Sequence, residues 1–123
     1  MKPLFHPAAD ELTVEGILHA LSDPVRVHIF AKIVDATRAQ TCSAFAEVDG
    51  SAIPKSTLSQ HFKVLRDAGL VRSERKGVEM HNLARCDEVD ARFPGLVGAI
   101  VDAYRTQPER DRRAQRRRLA KAV

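Results

Sequence analysis

Two thiols, five imidazoles and one dense run of hydroxyl, amide and ammonium side chains are the groups in this 123-residue chain whose chemistry invites a function. The histidines are scattered, with His6 near the start, His19 and His28 in separate apolar-periodic segments, His61 in the polar run and His81 in an alternating one. No pair has the i, i+4 spacing that sets two ligands on one helix face. Cys42 lies near a predicted helix start and Cys86 follows Arg85. A helix N-terminus or a neighbouring cation lowers a thiol pKa, so the two form a candidate redox pair. Cysteines serve equally as small apolar residues. Ser59 and His61 are helix neighbours without a third member, and the chain has no glycine-rich phosphate loop or nucleophile elbow, so no enzyme is expected.

The polar run is the more informative group. Residues 54–71 read PKSTLSQHFKVLRDAGLV. At 100° per residue, Phe62 and Leu65 fall within about 40° of Leu58 and make an apolar stripe. Ser56, Gln60, Lys63 and Asp67 lie opposite, Thr57 and Ser59 flank them, and His61 sits at the border. Surface helices ordinarily carry Glu and Lys outside, which favour helix and stay solvated. Short hydroxyl and amide side chains are poorer helix formers, because they compete for backbone hydrogen bonds. They are, however, what base edges and phosphates accept: Gln pairs with adenine bidentately, and Ser and Thr bond several base edges. A helix with short side chains also enters the major groove deeply, and its first-turn N–H groups suit a phosphate. Lys55, Ser56, Thr57, Ser59, Gln60, His61 and Lys63 are therefore candidate DNA-binding residues, with Arg75 and Lys76 at a following hairpin tip.

The elements that must position them are legible from spacing. In DELTVEGILHAL, residues 10–21, Leu12, Ile17, Leu18 and Leu21 form a helical stripe. Asp23 and Pro24 restart the chain as the cap and first turn of VRVHIFAKIVDA. A third short helix is predicted over 41–48, capped by Thr41 with Phe45 and Val48 inward, before an Asp49-Gly50-Ser51 turn. Pro54 opens the quoted helix and Gly69 closes it. LVRSER and VEMHNLA then read as two strands joined by a turn at Lys76-Gly77. Asp87 to Phe93 reads as a short helix. PGLVGAIVDAYRT, started by Pro94, reads as the last clear helix, and the 108–123 tail reads as continued helix or disorder. The order is that of a winged helix-turn-helix, mainly α with a small β-hairpin.

Hydrophobic residues make up 44% of the chain, enough for one mostly aliphatic core without Trp and with a single Tyr. The formal charge of +4 is unevenly spread. From Arg105 onward, eight basic residues face only Glu109 and Asp111, a net +6 that leaves residues 1–104 at −2. Residues 54–79 carry a local +3, from six basic and three acidic side chains. Clustered positive charge fits a polyanion; for the tail, a solvated face is the alternative. Residues 1–106 are expected to form the domain and 107–123 a basic tail. No apolar run approaches the roughly 18 residues of a membrane span, and MKPLFHPAADEL lacks a signal-peptide hydrophobic region, so a cytoplasmic protein with no membrane partner is expected.

STLSQHFKVLRDAGLVRSERKG resembles the recognition helix and wing of the ArsR/SmtB family of winged-helix repressors, and ALSDPVRVHIF resembles the family's signature at the start of its second helix. The resemblance covers roughly residues 12–104. It implies a homodimer that reads a partly palindromic operator in double-stranded DNA and releases it on effector binding or thiol modification. The family dimerises through its first and last helices, which here implies Leu12, Ile17, Leu96, Val97, Ile100, Val101 and Tyr104. The family's metal ligands are broken. Where its third helix has Cys-x-Cys, this chain has Cys42 alone in TCSAFAEV. Where its last helix has Asp-x-His and His-x-x-Glu, this chain has Asp102-Ala103-Tyr104 and no later His. One thiol or one carboxylate does not supply the three or four ligands such metals need, so neither metal nor cofactor is expected. The effector stays open. A thiol-responsive repressor using Cys42 and Cys86, or a winged-helix interaction module that has lost DNA binding, are the alternatives.

Overall fold

The computed structural model describes residues 4–36, 38–48 and 50–121. A tight turn at Ala9–Glu11 leads into α1 (Val14–Leu21) and α2 (Pro24–Asp35). Thr13 caps α1, its hydroxyl accepting from the Gly16 N–H at 3.1 Å. The helix therefore starts four residues later than the apolar stripe predicted, and Leu12 enters the core ahead of it. Leu18, assigned to that stripe, is half exposed. Asp23 caps α2 as expected, accepting from the N–H groups of Val25 and Arg26 at 2.8 and 3.1 Å. Arg26 in turn donates to the Ala20 carbonyl at 2.7 Å, which fixes the corner between the two helices.

The predicted helix over 41–48 is absent. Gln40–Thr41 form β1, Cys42–Phe45 a single tight turn, and Glu47–Val48 form β2, paired with β3 (Ser51–Ala52). The reason is competition for backbone groups. β1 pairs with Asn82 and His81 of the wing and β2 with β3, leaving four residues too few for an α-helix. Phe45 and Val48 still point inward. The turn joining β2 and β3 holds Gly50 at φ 79°; Asp49 lies outside the described residues.

α3 (Lys55–Asp67) is the quoted helix. Leu58, Phe62 and Leu65 are buried, with the Phe62 ring 5.9 Å from that of Phe45. Gly69 stops it at φ 81°, and a Cβ there would lie 2.0 Å from the Leu12 side chain, so a larger residue is strained and must displace Leu12. β4 (Val71–Lys76) and β5 (Glu79–Ala84) make the wing, with β1 as a third strand in the order β1-β5-β4. Lys76 pairs with Glu79, so the turn is Gly77-Val78, one residue later than predicted. Gly77, at φ 66°, takes the conformation that a two-residue hairpin turn demands.

The chain closes with α4 (Cys86–Arg92), α5 (Leu96–Thr106) and α6 (Glu109–Lys121). Pro94 lies in the turn before α5 rather than in its first turn, and Gly95 at φ 79° precedes the helix. α6 packs back against α2. One apolar core runs through α1, α2, α3, the inner face of β4, α4 and α5.

Candidate nucleic-acid interface

The first two turns of α3 stand clear of the core because Leu58, Phe62 and Leu65 anchor the opposite side. Lys55, Ser56, Ser59 and Gln60 are exposed, and among the described residues none of the four side chains has a partner. Lys63 is exposed but paired, its Nζ 2.7 Å from Asp67. An exposed pair of this kind opens cheaply.

Two members of the predicted set turn away. Thr57 and His61 are half-buried in a hollow with Asp23, Val25, Pro54 and Leu119. His61 Nδ1 is buried without a hydrogen-bond partner. Burial pulls the His61 pKa below the ordinary 6.5; Asp23 opposes this and Arg26 adds to it. His61 thus sits beside the start of α2, turned away from the exposed polar face of α3.

The wing tip presents Arg75 and Lys76, both exposed, with Val78 at 96% exposure at its end. Between wing and α3 runs a groove of about 560 Å³. Lys55 and Ser59 form one wall, Arg75 and Val78 the other, and Cys42 and Arg66 also line it.

A buried polar network sets the wing's angle. Ser73 donates from Oγ to Asn82 Oδ1 at 2.6 Å, and Arg66 donates to Ser73 Oγ at 3.3 Å. Asn82 donates from Nδ2 to the Gln40 carbonyl at 3.0 Å, with Cys42 Sγ at 3.4 Å. His6 Nε2 accepts the Ser73 N–H at 2.9 Å. Burial, with Arg72, Arg85 and Arg66 nearby, holds the His6 pKa below 6.5, in keeping with that acceptor role. Sequence reasoning missed Arg66, Ser73, Asn82 and His6. One signal was available: in VRSE, Ser73 shares the buried parity of Val71.

The two thiols lie apart. Cys42 lines the groove beside the wing, whereas Cys86 lines a hollow with Arg72, Leu83 and Glu88. Arg85 does not activate Cys86, because its guanidinium pairs with Glu88 instead. Burial pushes the Cys86 thiol pKa up, and Asp87 and Asp90 push it further, opposite to what a reactive thiolate needs. Among the described residues, no three His, Cys, Asp or Glu side chains group closely enough to hold a metal ion.

The residues implied as a dimer face divide. Leu12, Ile17, Val97, Val101 and Tyr104 are buried in the chain's own core. Tyr104 accepts from Arg116 at 2.8 Å, and the Arg112 guanidinium lies 4.9 Å from the centre of its ring. Leu96 and Ile100 are partly exposed. With exposed Ala99 and Ala103 they form a second apolar stripe on α5, at i, i+3, i+4 and i+7. On α1 the exposed apolar residues are Val14 and Leu18, also four apart.

Residues 21–74 match a helix-turn-helix domain family, a span from the end of α1 into the first wing strand. The HTH-type transcriptional repressor SmtB of Mycobacterium tuberculosis, in strains CDC 1551 / Oshkosh and ATCC 25618 / H37Rv, is 38% identical over 75 residues, which cover 60% of this chain and 53% of that protein. The match thus spans about half the length of these curated relatives. Among solved structures, an ArsR-like transcriptional regulator from Rhodococcus sp. RHA1 superposes with a TM-score of 0.53 at 26% identity, over 73% of this chain and 83% of that one.

Proposed function

We propose that this chain is a winged-helix regulator of the ArsR/SmtB type, and that it acts as a cytoplasmic, homodimeric, sequence-specific DNA-binding repressor and not an enzyme. The observation that carries this reading is the outer face of α3, where Lys55, Ser56, Ser59 and Gln60 are exposed with no partner in the described chain. Polar side chains that find no use within the fold are available to base edges and phosphates. The N-terminal residues of such a helix are the ones that read bases in helix-turn-helix docking. Lys63 joins them by releasing Asp67. Arg75 and Lys76 supply phosphate contacts from the wing, and Val78 at its tip suits a groove wall. Thr57 and His61 brace α3 against α2 rather than touch DNA.

In this reading the dimer face shifts from the buried residues to the exposed stripes: Val14 and Leu18 on α1, and Leu96, Ala99, Ile100 and Ala103 on α5. Two copies joined there carry two α3 helices, which read an inverted repeat with half-site centres about 34–36 Å apart. Sedimentation analysis of Leu18→Glu/Ile100→Glu tests the arrangement. The variant keeps its helical content, because Leu18 is half exposed and Ile100 packs only at the partly exposed edge of the core, but it is monomeric and loses operator affinity. A variant that stays dimeric places the interface elsewhere. A wild-type chain that is folded, dimeric and blind to all duplex DNA favours the interaction-module reading instead.

A further inference from the structure

The C-terminal helix α6 is built from arginine on both sides, and the two sides are used differently. On the inner side Arg116 is 2% exposed, donating to Tyr104 Oη and pairing with Glu109 at 3.2 Å. Arg112 pairs with Glu109 at 2.6 Å. Leu119, one turn further on, reaches the hollow that Thr57, His61 and Pro54 line at the start of α3. Arg116 and Arg117 border a second hollow with Ser51, Ala52 and Ile53, just ahead of α3. The last turns of α6 therefore lie across these hollows from the N-terminal end of the reading helix.

On the outer side, Arg110, Arg113 and Arg117 fall within about 60° of one another on the helical wheel, with Arg118 beside them. All four are exposed. Like charges three or four residues apart weaken a helix, and solvated helices ordinarily alternate Glu with Lys or Arg. Here the only acids on α6 are Glu109, shared by Arg112, Arg113 and Arg116, and Asp111, which borders a separate hollow with Pro24, Ile100 and Tyr104. Residues 1–104 carry −2, so this charge is concentrated on one helix and not spread over the fold. From Arg110 to Arg117 the stripe runs about 10 Å, the axial rise of about three phosphates on one DNA strand.

We propose that the outer face of α6 is a second DNA-backbone contact, a phosphate clamp that extends the α3 footprint along the flanking strand. The proposal rests on DNA binding by α3. Because Leu119 and Arg116 border the hollows at and just ahead of the start of α3, the stripe lies near the end of α3 that approaches the bases, and a duplex seated on α3 continues past α6. A clamp of this kind adds affinity without reading sequence, because guanidinium–phosphate contacts are the same at every base pair.

The test is the salt dependence of binding, measured by fluorescence anisotropy on a duplex selected by the chain from genomic fragments and on a random duplex of equal length. The variant Arg110→Gln/Arg113→Gln/Arg117→Gln/Arg118→Gln keeps good helix formers and leaves Arg112 and Arg116 in place. Its log–log salt slope falls by about 2–3 on both duplexes, at about 0.9 per phosphate. Raising salt from 50 to 200 mM then weakens it roughly 40-fold less than wild type, while the ratio of specific to random affinity is unchanged. The corresponding Arg→Lys variant retains the slope. A full chain that binds both duplexes with a slope the Gln variant leaves intact overturns the clamp alone. A full chain that binds neither duplex overturns the parent reading and the clamp with it. Binding to anionic lipid vesicles that the Gln variant loses, with the DNA slope unchanged, assigns the stripe to a lipid surface and overturns the proposal.

Discussion

The outer face of α3 and the polar network beneath the wing are made of the same kinds of side chain, and they follow opposite rules. Beneath the wing, Ser73, Asn82, Arg66 and His6 are tied to one another and to the backbone, and Asn82 is fully buried. Buried polar groups hold a structure together only when paired, since an orphan costs about 1–3 kcal/mol. On α3, Ser56, Ser59 and Gln60 have no partner in the described chain and no burial to demand one. The first set fixes where the wing stands relative to α3. The second waits for hydrogen-bonding groups from another molecule. In the proposed reading both serve DNA recognition, but they fail in different assays.

The largest effect is expected at Asn82. Asn82→Leu removes the acceptor of the buried Ser73 hydroxyl, leaving it only Arg66, and the donor to the part-buried Gln40 carbonyl, and should cost about 1–3 kcal/mol of folding stability in a urea titration. A loss below about 0.5 kcal/mol would mean that the network is decorative and that the comparison fails on its buried side. Gln60→Ala tests the exposed side. It should leave stability within about 0.5 kcal/mol yet cost about 1–3 kcal/mol on the cognate duplex, with little change on random DNA. Equal losses on both duplexes would show that Gln60 does not read a base.

The smallest effect is in pH. His6 and His61 both have pKa values lowered by burial in the folded chain. The unfolded chain therefore takes up protons first as pH falls below about 6.5, and stability declines from there until the folded histidines also protonate. The urea midpoint should be lower at pH 5 than at pH 7.5. His6→Gln, which keeps an acceptor for the Ser73 N–H but does not titrate, should shrink that difference. A midpoint that is flat in pH would contradict the acceptor role of His6.

Much of the scaffold was legible in the sequence because its signals are local. The Leu58, Phe62 and Leu65 stripe, the Asp23 cap and the Gly69 stop each depend on a few neighbouring residues. Where the reading missed, distant partners decided. The segment 41–48 lost its helix because β5, some 40 residues on, claims Gln40 and Thr41. His61 is half-buried because it faces a hollow shared with the starting turn of α2 and Leu119 of α6. Val97, Val101 and Tyr104 form a correct apolar stripe on α5, but the fold buries it against its own core and leaves Leu96 and Ile100 on a neighbouring stripe. Periodicity finds an apolar face; it does not say whether that face meets the chain's own core or a second copy. The wing's polar network was the least legible, because His6 and Ser73 are joined across 67 residues.

The central claim is that the unpartnered face of α3 reads a defined sequence as part of a dimer. The most direct test is to let the purified, reduced protein select fragments from genomic DNA and to sequence what it retains. The account predicts one shared inverted repeat with half-site centres about one helical turn apart, and its loss when Gln60→Ala replaces the wild type. Retention of no fragment by a folded, dimeric protein, or retention without a shared sequence, would contradict it.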